Sequence, residues 1–258
     1  MYLMKQKMKK TKEKLVELEG FLMKPHACII CTRECDLDNG HRICSRCIDK
    51  LPFSKGNYCL KCGEVIKGEY DYCLNCKNVE YNFDYARSVF AYNDLTAPMI
   101  MRFKYNGCKS YAPHLGLLLK DFYSTSDLVA DTVTYVPMPK AREKERGYNQ
   151  AFELCKEFSL LTEMPMIDAL IRVKEVAIKQ ATLSGKERRE NIKDSFKITD
   201  KKLVKGKEIL LIDDVFTTGA TVSECAKVLM NAGAKNVQVL TLAKTVSGDS
   251  SRVLIEND

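Results

Sequence analysis

From about Phe83 onward, the apolar positions switch between two periods. Val133–Val136 is a short run containing β-branched residues, stopped by Pro137 and Pro139, and it reads as a strand. Ala151, Leu154, Cys155 and Phe158 then recur at helical spacing. Ile209–Ile212 is a continuous apolar run of strand length. Val222, Cys225, Ala226 and Leu229 fall on one helix face, Gly233 closes that helix, and Val237–Ala243 makes the next strand. Strand, helix and strand in that order predict a parallel sheet covered on both faces, an α/β architecture. Before about Asn82 the chain has another character. It is rich in Cys, Gly, Asn and Tyr and lacks sustained hydrophobic periodicity. The expected organisation is a basic extension over residues 1–20, a cysteine-rich domain over 21–82 and an α/β domain over 83–258.

Composition, 45% hydrophobic and 29% charged, is that of an ordinary soluble chain, and no run of about 18 apolar residues predicts a membrane span. Met1–Lys14 holds six lysines against Glu13. The apolar residues that follow (Val16, Leu18, Phe21, Leu22) are interrupted by Glu17 and Glu19, so the start reads as a basic frayed helix or solvated arm rather than a secretion signal. That arm supplies five of the seven net positive charges, which argues against a uniformly basic DNA binder. A second patch, Arg172–Lys193, sets seven Lys/Arg against three Glu/Asp. It suits a phosphate-rich partner or a solvated surface.

Nine of the twelve cysteines lie between Cys28 and Cys76. Without a secretion signal the expected compartment is the reducing cytoplasm, where clustered cysteines bind metal rather than form disulfides. Four Cys-x-x-Cys pairs occur in order: Cys28/Cys31, Cys44/Cys47, Cys59/Cys62 and Cys73/Cys76. Each pair presents two thiolates from a tight knuckle, and two pairs complete the tetrahedral four-thiolate shell of structural zinc. Eight ligands make two zinc sites. Joining pairs one and two, then three and four, is the simplest assignment, with an interleaved arrangement left open. No compact cysteine run favours an iron–sulfur cluster. Cys35 and His41 are left over. A saturated shell folds its surroundings and leaves no position for catalysis.

The sharpest chemistry lies in Ile209–Thr221. An apolar strand delivers Asp213 and Asp214, the loop Val215-Phe216-Thr217-Thr218-Gly219 follows, and a helix begins at Ala220-Thr221. Ligands bind beyond the carboxyl ends of strands in open parallel sheets. A helix start offers free N–H groups and positive dipole character to an anion. The loop therefore fits a phosphate, and the carboxylates fit sugar hydroxyls beside it. No Gly-Lys-Ser/Thr follows, which excludes a Walker loop.

This run resembles the phosphoribosyl-diphosphate motif of type I phosphoribosyltransferases. The resemblance implies that Asp213 and Asp214 bind the ribose 2′- and 3′-hydroxyls. Val215, Phe216, Thr217, Thr218, Gly219, Ala220 and Thr221 would wrap the 5′-phosphate, magnesium would bridge ribose and diphosphate, and the diphosphate loop would follow Val136. Lys140–Ala151, with Arg146-Gly147-Tyr148-Asn149-Gln150-Ala151 at its end, resembles a signature of the ComF competence family. So do Lys179–Asn191, containing Arg188 and Arg189, the ending Thr241–Lys244, and the cysteine-rich start. The likeness runs from Phe21 to nearly the end of the chain. It implies a type I phosphoribosyltransferase fold with a parallel central sheet, preceded by a small zinc-ribbon domain. Lys140, Arg142 and Arg146 then belong beside the diphosphate, and Arg188 and Arg189 to a polar connection closing over ligand, or to a solvated helix. All four knuckles are intact, so two metals are expected. The Lys-rich start is not part of the family pattern.

Three readings follow. The first is a magnesium-dependent phosphoribosyltransferase acting at ribose C1, with no protein nucleophile and no acceptor legible in the sequence. The second, implied by the family, is a DNA-uptake factor in natural transformation. It would bind single-stranded DNA and work with a helicase-like competence ATPase and a recombination loader. The third is a non-catalytic nucleic-acid-binding or ligand-sensing scaffold using the same pocket. Phe53, Tyr58, Tyr70 and Tyr72 among the knuckles are candidates for stacking on bases, or for the core of a small zinc module.

Overall fold

The structure is a computed structural model that describes residues 27–34, 40–54, 56–66, 68, 70–105, 107–174 and 185–245, with only the backbone at 185, 186 and 188. These residues fall into two compact units, divided in sequence between Lys50 and Leu51.

In the smaller unit Ala27 bridges Glu34, and the chain turns sharply between them. Thr32 N–H donates to the Cys28 carbonyl and Cys28 N–H to the Arg33 carbonyl, both at 2.9 Å. Helix α1 (Ser45–Ile48) starts directly after Cys44, and Cys47 N–H reaches back to the Cys44 carbonyl at 2.9 Å. These two turns gather Cys28, Cys31, Cys44 and Cys47. Among the described residues of this unit, Ala27, Ile29, Ile30 and Ile43 are the buried aliphatic side chains around them. So small a core needs another source of stability.

The larger unit begins with the same scheme. Tyr58 bridges Val65, Gly63 N–H donates to the Cys59 carbonyl at 2.9 Å, and helix α2 (Leu74–Lys77) starts directly after Cys73. This second ribbon is packed into the main core: Cys59, Cys62 and Cys73 are buried in one cluster with Phe83, Ala86, Phe216 and the apolar face of the last helix.

The remaining elements are β1 (Ala86–Tyr92), α3 (Ala97–Tyr105), α4 (Ala112–Thr125), β2 (Thr132–Tyr135), α5 (Lys140–Arg146), α6 (Gln150–Thr162), β3 (Leu170–Arg172), α7 (Gly185–Ile192), β4 (Phe196–Ile198), β5 (Glu208–Phe216), α8 (Ala220–Asn231) and β6 (Asn236–Thr245). The main sheet has the order β1-β6-β5-β2 with every pair parallel, and β3 and β4 form a separate antiparallel pair. Ile209, Leu211, Val237 and Val239 pack with Val222, Cys225, Ala226 and Leu229 of α8. Their neighbours Leu210, Ile212, Leu240 and Leu242 are also fully buried. Alternate strand residues face opposite ways, so the central strands are covered on both sides, as their unbroken apolar runs predict. Helices α4 and α6 pack against each other and onto the sheet. The strand expected at Ile209–Ile212 is longer than its apolar run. β5 continues to Phe216, and Asp213 is paired opposite Thr241.

Gly116 shows how closely α4 and α6 approach. A Cβ there would stand 2.5 Å from the Glu157 Cβ. In an open helix Gly→Ala stabilises by about 1 kcal/mol. Overpacking at such a contact costs about 1–3 kcal/mol, and the closeness of the contact decides the sign. Gly116→Ala should therefore lower the urea midpoint of unfolding, and an unchanged or raised midpoint would show that the helices separate freely.

Candidate active site and cysteine clusters

β5 runs through the middle of the core, with β2 and β6 taking up the hydrogen bonds along its two edges. Four consecutive residues, Ile209 to Ile212, have no exposure. The first carboxylates after them are Asp213 and Asp214, at the carboxyl end. Alternation turns them apart. Asp213 continues the row of Ile209 and Leu211 toward α8, where its charge acts on Cys225. Asp214, 8% exposed, forms an ion pair with Lys104 of α3, Oδ1 to Nζ 3.0 Å. The Asp214 N–H donates to Asp213 Oδ1 at 2.8 Å. Asp213 keeps partial access to water, being half-buried where Asp214 is buried, yet the crowding of protein around its carboxyl, and next the charge of Asp214, push it up to about 7, against the opposing pull of that N–H, Lys104 and Arg172.

The loop after β5 is set by Gly219. Its φ of +72° is left-handed, and a Cβ there would lie 2.5 Å from Phe216 Cζ and 2.7 Å from Tyr81 Cε1. No larger residue fits without moving an aromatic ring. Gly219 caps α8, and the first-turn N–H groups of a 12-residue helix point past it with no intrahelical acceptor. Thr217 is exposed, while Val215, Thr218 and Thr221 are half-buried. Ala220 N–H donates to Thr218 Oγ1 at 3.4 Å. Donors of this kind beside two carboxylates are a fitting cradle for an anionic sugar ester.

On the far side of the carboxylates, Val136 N–H donates to the Ile212 carbonyl at 3.0 Å, so Pro137–Lys140 leaves the sheet beside β5. Asn149 caps α6 through Ala151 N–H and Phe152 N–H, and its Nδ2 holds the Val136 carbonyl at 3.1 Å. Gly147, φ +86°, ends α5. Arg146 donates to Gln150 Oε1 at 2.8 Å and to the Tyr105 hydroxyl at 2.9 Å, with its guanidinium 4.6 Å from the Tyr105 ring centre. Tyr105 neighbours Lys104, which ties Arg146 to the segment that reaches Asp214. Arg142 is half-buried and Lys140 exposed. Arg189 is exposed on α7, and its charge is felt by Tyr81. The side chain of Arg188 and the stretch Lys179–Ser184 lie outside the described residues.

Three participants were not singled out from sequence. Lys104 sits in Phe103-Lys104-Tyr105, which carries no local signature. Arg172, first residue of the basic patch, is half-buried on β3; burial above all depresses its guanidinium, and the fields of Cys225, Arg142 and Asp213 all reach it. Tyr81 follows the last cysteine pair and was read as part of a nonperiodic stretch.

Each cysteine set is a candidate metal centre. The sulfurs of Cys28, Cys31, Cys44 and Cys47 lie within 4.8 Å of one another, as do those of Cys59, Cys62, Cys73 and Cys76, so the pairs combine in sequence order. A zinc tetrahedron with bonds of about 2.3 Å has S···S edges of about 3.8 Å. Cys31 to Cys44 is 3.9 Å and Cys62 to Cys73 is 3.7 Å, so both sets fit zinc. His41 belongs to neither set.

Residues 158–254 match the family model described as phosphoribosyl transferase domain, and residues 21–77 the one described as double zinc ribbon domain. Competence protein F of Haemophilus influenzae is 30% identical over 208 residues, covering 78% of this chain and 90% of the relative. The chain belongs to the ComF competence family. Competence protein ComFC of Bacillus subtilis is 30% identical over 79% of this chain and 85% of its own length. DNA utilization protein YhgH of Escherichia coli K12 is 29% identical over 86% and 98%. The ComF-type fold here is a type I phosphoribosyltransferase fold with two cysteine ribbons. Among the described residues no helix is long and apolar enough to cross a membrane.

The raised Asp213 carboxyl makes a signed statement about stability. The native state keeps a proton that the unfolded chain, with a carboxyl near 4, releases, so stability falls as pH rises from about 4 to about 7 and stays lower above. Asp213→Asn should melt above wild type at pH 8, with the gap narrowing toward pH 5. A gap that does not change with pH would contradict the assignment. For the metal centres, zinc content should be two per chain and fall to one in Cys28→Ser, by atomic emission.

Proposed function

We propose that the pocket at the end of β5 binds phosphoribosyl diphosphate with magnesium, and that the protein serves DNA uptake in natural transformation. The observation that carries the pocket is the pairing of Asp213 and Asp214 with a helix-capping phosphate loop, facing Lys104 and Arg172. In this reading the ribose hydroxyls donate to the two carboxylates. The 5′-phosphate takes N–H groups between Val215 and Thr221 and the hydroxyls of Thr217, Thr218 and Thr221. The diphosphate lies toward Arg142, Arg146 and Lys140, with Arg188 and Arg189 closing from α7. Asp213 and Asp214 are hard oxygen donors of the kind magnesium takes, and the ion supplies charge neutralisation for the diphosphate. If transfer occurs at C1, the chain orients the ribose, and the cations stabilise the departing diphosphate, with no protein nucleophile.

Calorimetric titration with magnesium phosphoribosyl diphosphate tests this. Wild type should bind, and Asp213→Ala/Asp214→Ala should lose at least 30-fold in affinity, about 2 kcal/mol. Absence of binding to wild type would remove the ligand from the proposal and leave a scaffold.

The DNA arm of the proposal rests on a different surface. Phe53 packs on Phe90 at 5.2 Å, and Tyr58 lies 4.7 Å from the Arg87 guanidinium, so both serve the core. Tyr70 and Tyr72 are exposed, and Lys77 Nζ stands 5.0 Å from the Tyr70 ring. Aromatic faces beside a cation suit single-stranded bases. In this reading the protein works in the cytoplasm and passes single-stranded DNA to a helicase-like ATPase and a recombination loader. Tyr70→Ala/Tyr72→Ala should weaken labelled single-stranded DNA by roughly 10-fold in fluorescence anisotropy. Equal binding by the variant would move the DNA surface elsewhere.

A further inference from the structure

We infer that the second cysteine ribbon is an arm of the phosphate site, with Tyr81 as the positioning residue that holds the loop Thr217–Thr221 in its binding shape. This deepens the proposed function, since it rests on that loop taking a sugar phosphate.

Tyr81 lies five residues beyond Cys76, and its hydroxyl donates to the Thr218 carbonyl at 3.1 Å. The next residue repeats the attachment. Asn82 N–H and Asn82 Nδ2 reach Ser223 Oγ, in the first turn of α8, at 3.0 and 3.1 Å. The Tyr81 ring also closes the space over Gly219, as the 2.7 Å approach to a Cβ there shows. One short segment thus grips the loop on its carbonyl side and the helix just behind it. Every peptide bond in the described residues is trans, so the Gly219 N–H lies opposite the Thr218 carbonyl that Tyr81 holds.

The footing of Tyr81 is the ribbon itself. Its ring stacks on Phe83 at 4.9 Å and meets the edge of Phe216 at 6.3 Å. Lys61, between Cys59 and Cys62, donates to the Phe83 carbonyl. From the sheet side, Lys244 places its ammonium 4.5 Å from the Phe216 ring centre and 3.5 Å from Glu64 Oε2 of the ribbon, and its field reaches Cys62. Metal at Cys59, Cys62, Cys73 and Cys76 fixes the ribbon, the ribbon fixes Tyr81, and Tyr81 fixes the loop.

Coupling of this kind is reciprocal. If the ribbon orders the loop, then a sugar phosphate on the loop must hold the ribbon's zinc. The test uses the full-length zinc protein, with ribose 5-phosphate as ligand and zinc release to a chromogenic chelator as readout. One of the two zinc ions should leave at least threefold more slowly when ribose 5-phosphate saturates wild type. Tyr81→Phe keeps the ring and loses only the hydroxyl. It should retain two zinc ions and melt no more than about 4 °C below wild type, lose roughly 3–10-fold in ribose 5-phosphate affinity, the size of one net hydrogen bond, and lose the zinc protection. Its affinity for inorganic diphosphate, which does not use this loop, should be unchanged. Equal ribose 5-phosphate affinity in wild type and Tyr81→Phe would overturn the role of Tyr81. Binding without any zinc protection in wild type would overturn the coupling, whatever the variant does. A wild type that binds no ribose 5-phosphate would overturn both this inference and the phosphate reading on which it rests.

Discussion

A strand hydrogen-bonded on both edges and buried on both faces can carry charge only where it leaves the core, and β5 leaves it at Asp213 and Asp214. The rest of the larger unit is arranged around that exit. Lys104 comes from α3, Arg172 from β3, the proline loop from β2 and the phosphate loop from β5 itself. None of these is near another in sequence. The proline loop and the loop after β5 meet because the strands of the main sheet run parallel, so their carboxyl ends open on one rim, while Arg172 is supplied from the separate β3-β4 pair.

The second ribbon meets a different constraint. A zinc ion with four thiolates carries a net charge of −2, and a charge in a protein interior must be compensated there. Among the described residues, buried Lys244 and half-buried Lys61 bring positive charge to it, each also lying against an aromatic ring, Phe216 and Phe83 respectively. This gives Lys244 a physical task. The ending Thr241–Lys244, which in sequence only resembles a family signature, places a lysine where the sheet meets the ribbon. Lys244 thereby lies against Phe216, the ring that closes over Gly219, so the ribbon and the turn after β5 share side chains.

The sheet, its parallel sense and the four cysteine knuckles were legible because each has a short-range signature: unbroken apolar runs, a crossover helix, and a two-residue spacing repeated four times, whereas the joining of knuckles one with two and three with four came from the structure. The carboxylates and the Thr-Thr-Gly turn were legible for the same reason. Lys104, Arg172 and Tyr81 were not. Their roles come from contacts across long stretches of chain, such as the 137 residues between Tyr81 and Thr218. Nor did composition distinguish the two ribbons. Both read as four cysteines in a polar stretch, yet the first is ringed by three isoleucines while the second packs against Phe83, Phe216 and α8. The aromatics divided likewise: Phe53 and Tyr58 went to packing, and Tyr70 and Tyr72 stayed exposed.

Two adjacent carboxylates at the end of a buried strand disfavour the native state at neutral pH, and the side chains around them offset this in part. Lys104 pairs with Asp214, while Asp213 has a backbone N–H and the fields of Lys104 and Arg172. A core built for stability alone would place a neutral or apolar residue there. The imbalance makes physical sense if something that donates hydrogen bonds to Asp213, or brings positive charge to it, occupies the site for part of the working cycle. A ribose diol does the first and a divalent cation the second. Either would lower the Asp213 carboxyl on binding, so ligand uptake near neutral pH should release protons, and the heat of binding should then depend on the ionisation enthalpy of the buffer. An adventitious anion held by the phosphate loop alone would leave that carboxyl where it is, which makes the proton count a direct measure of whether both halves of the site act on one ligand.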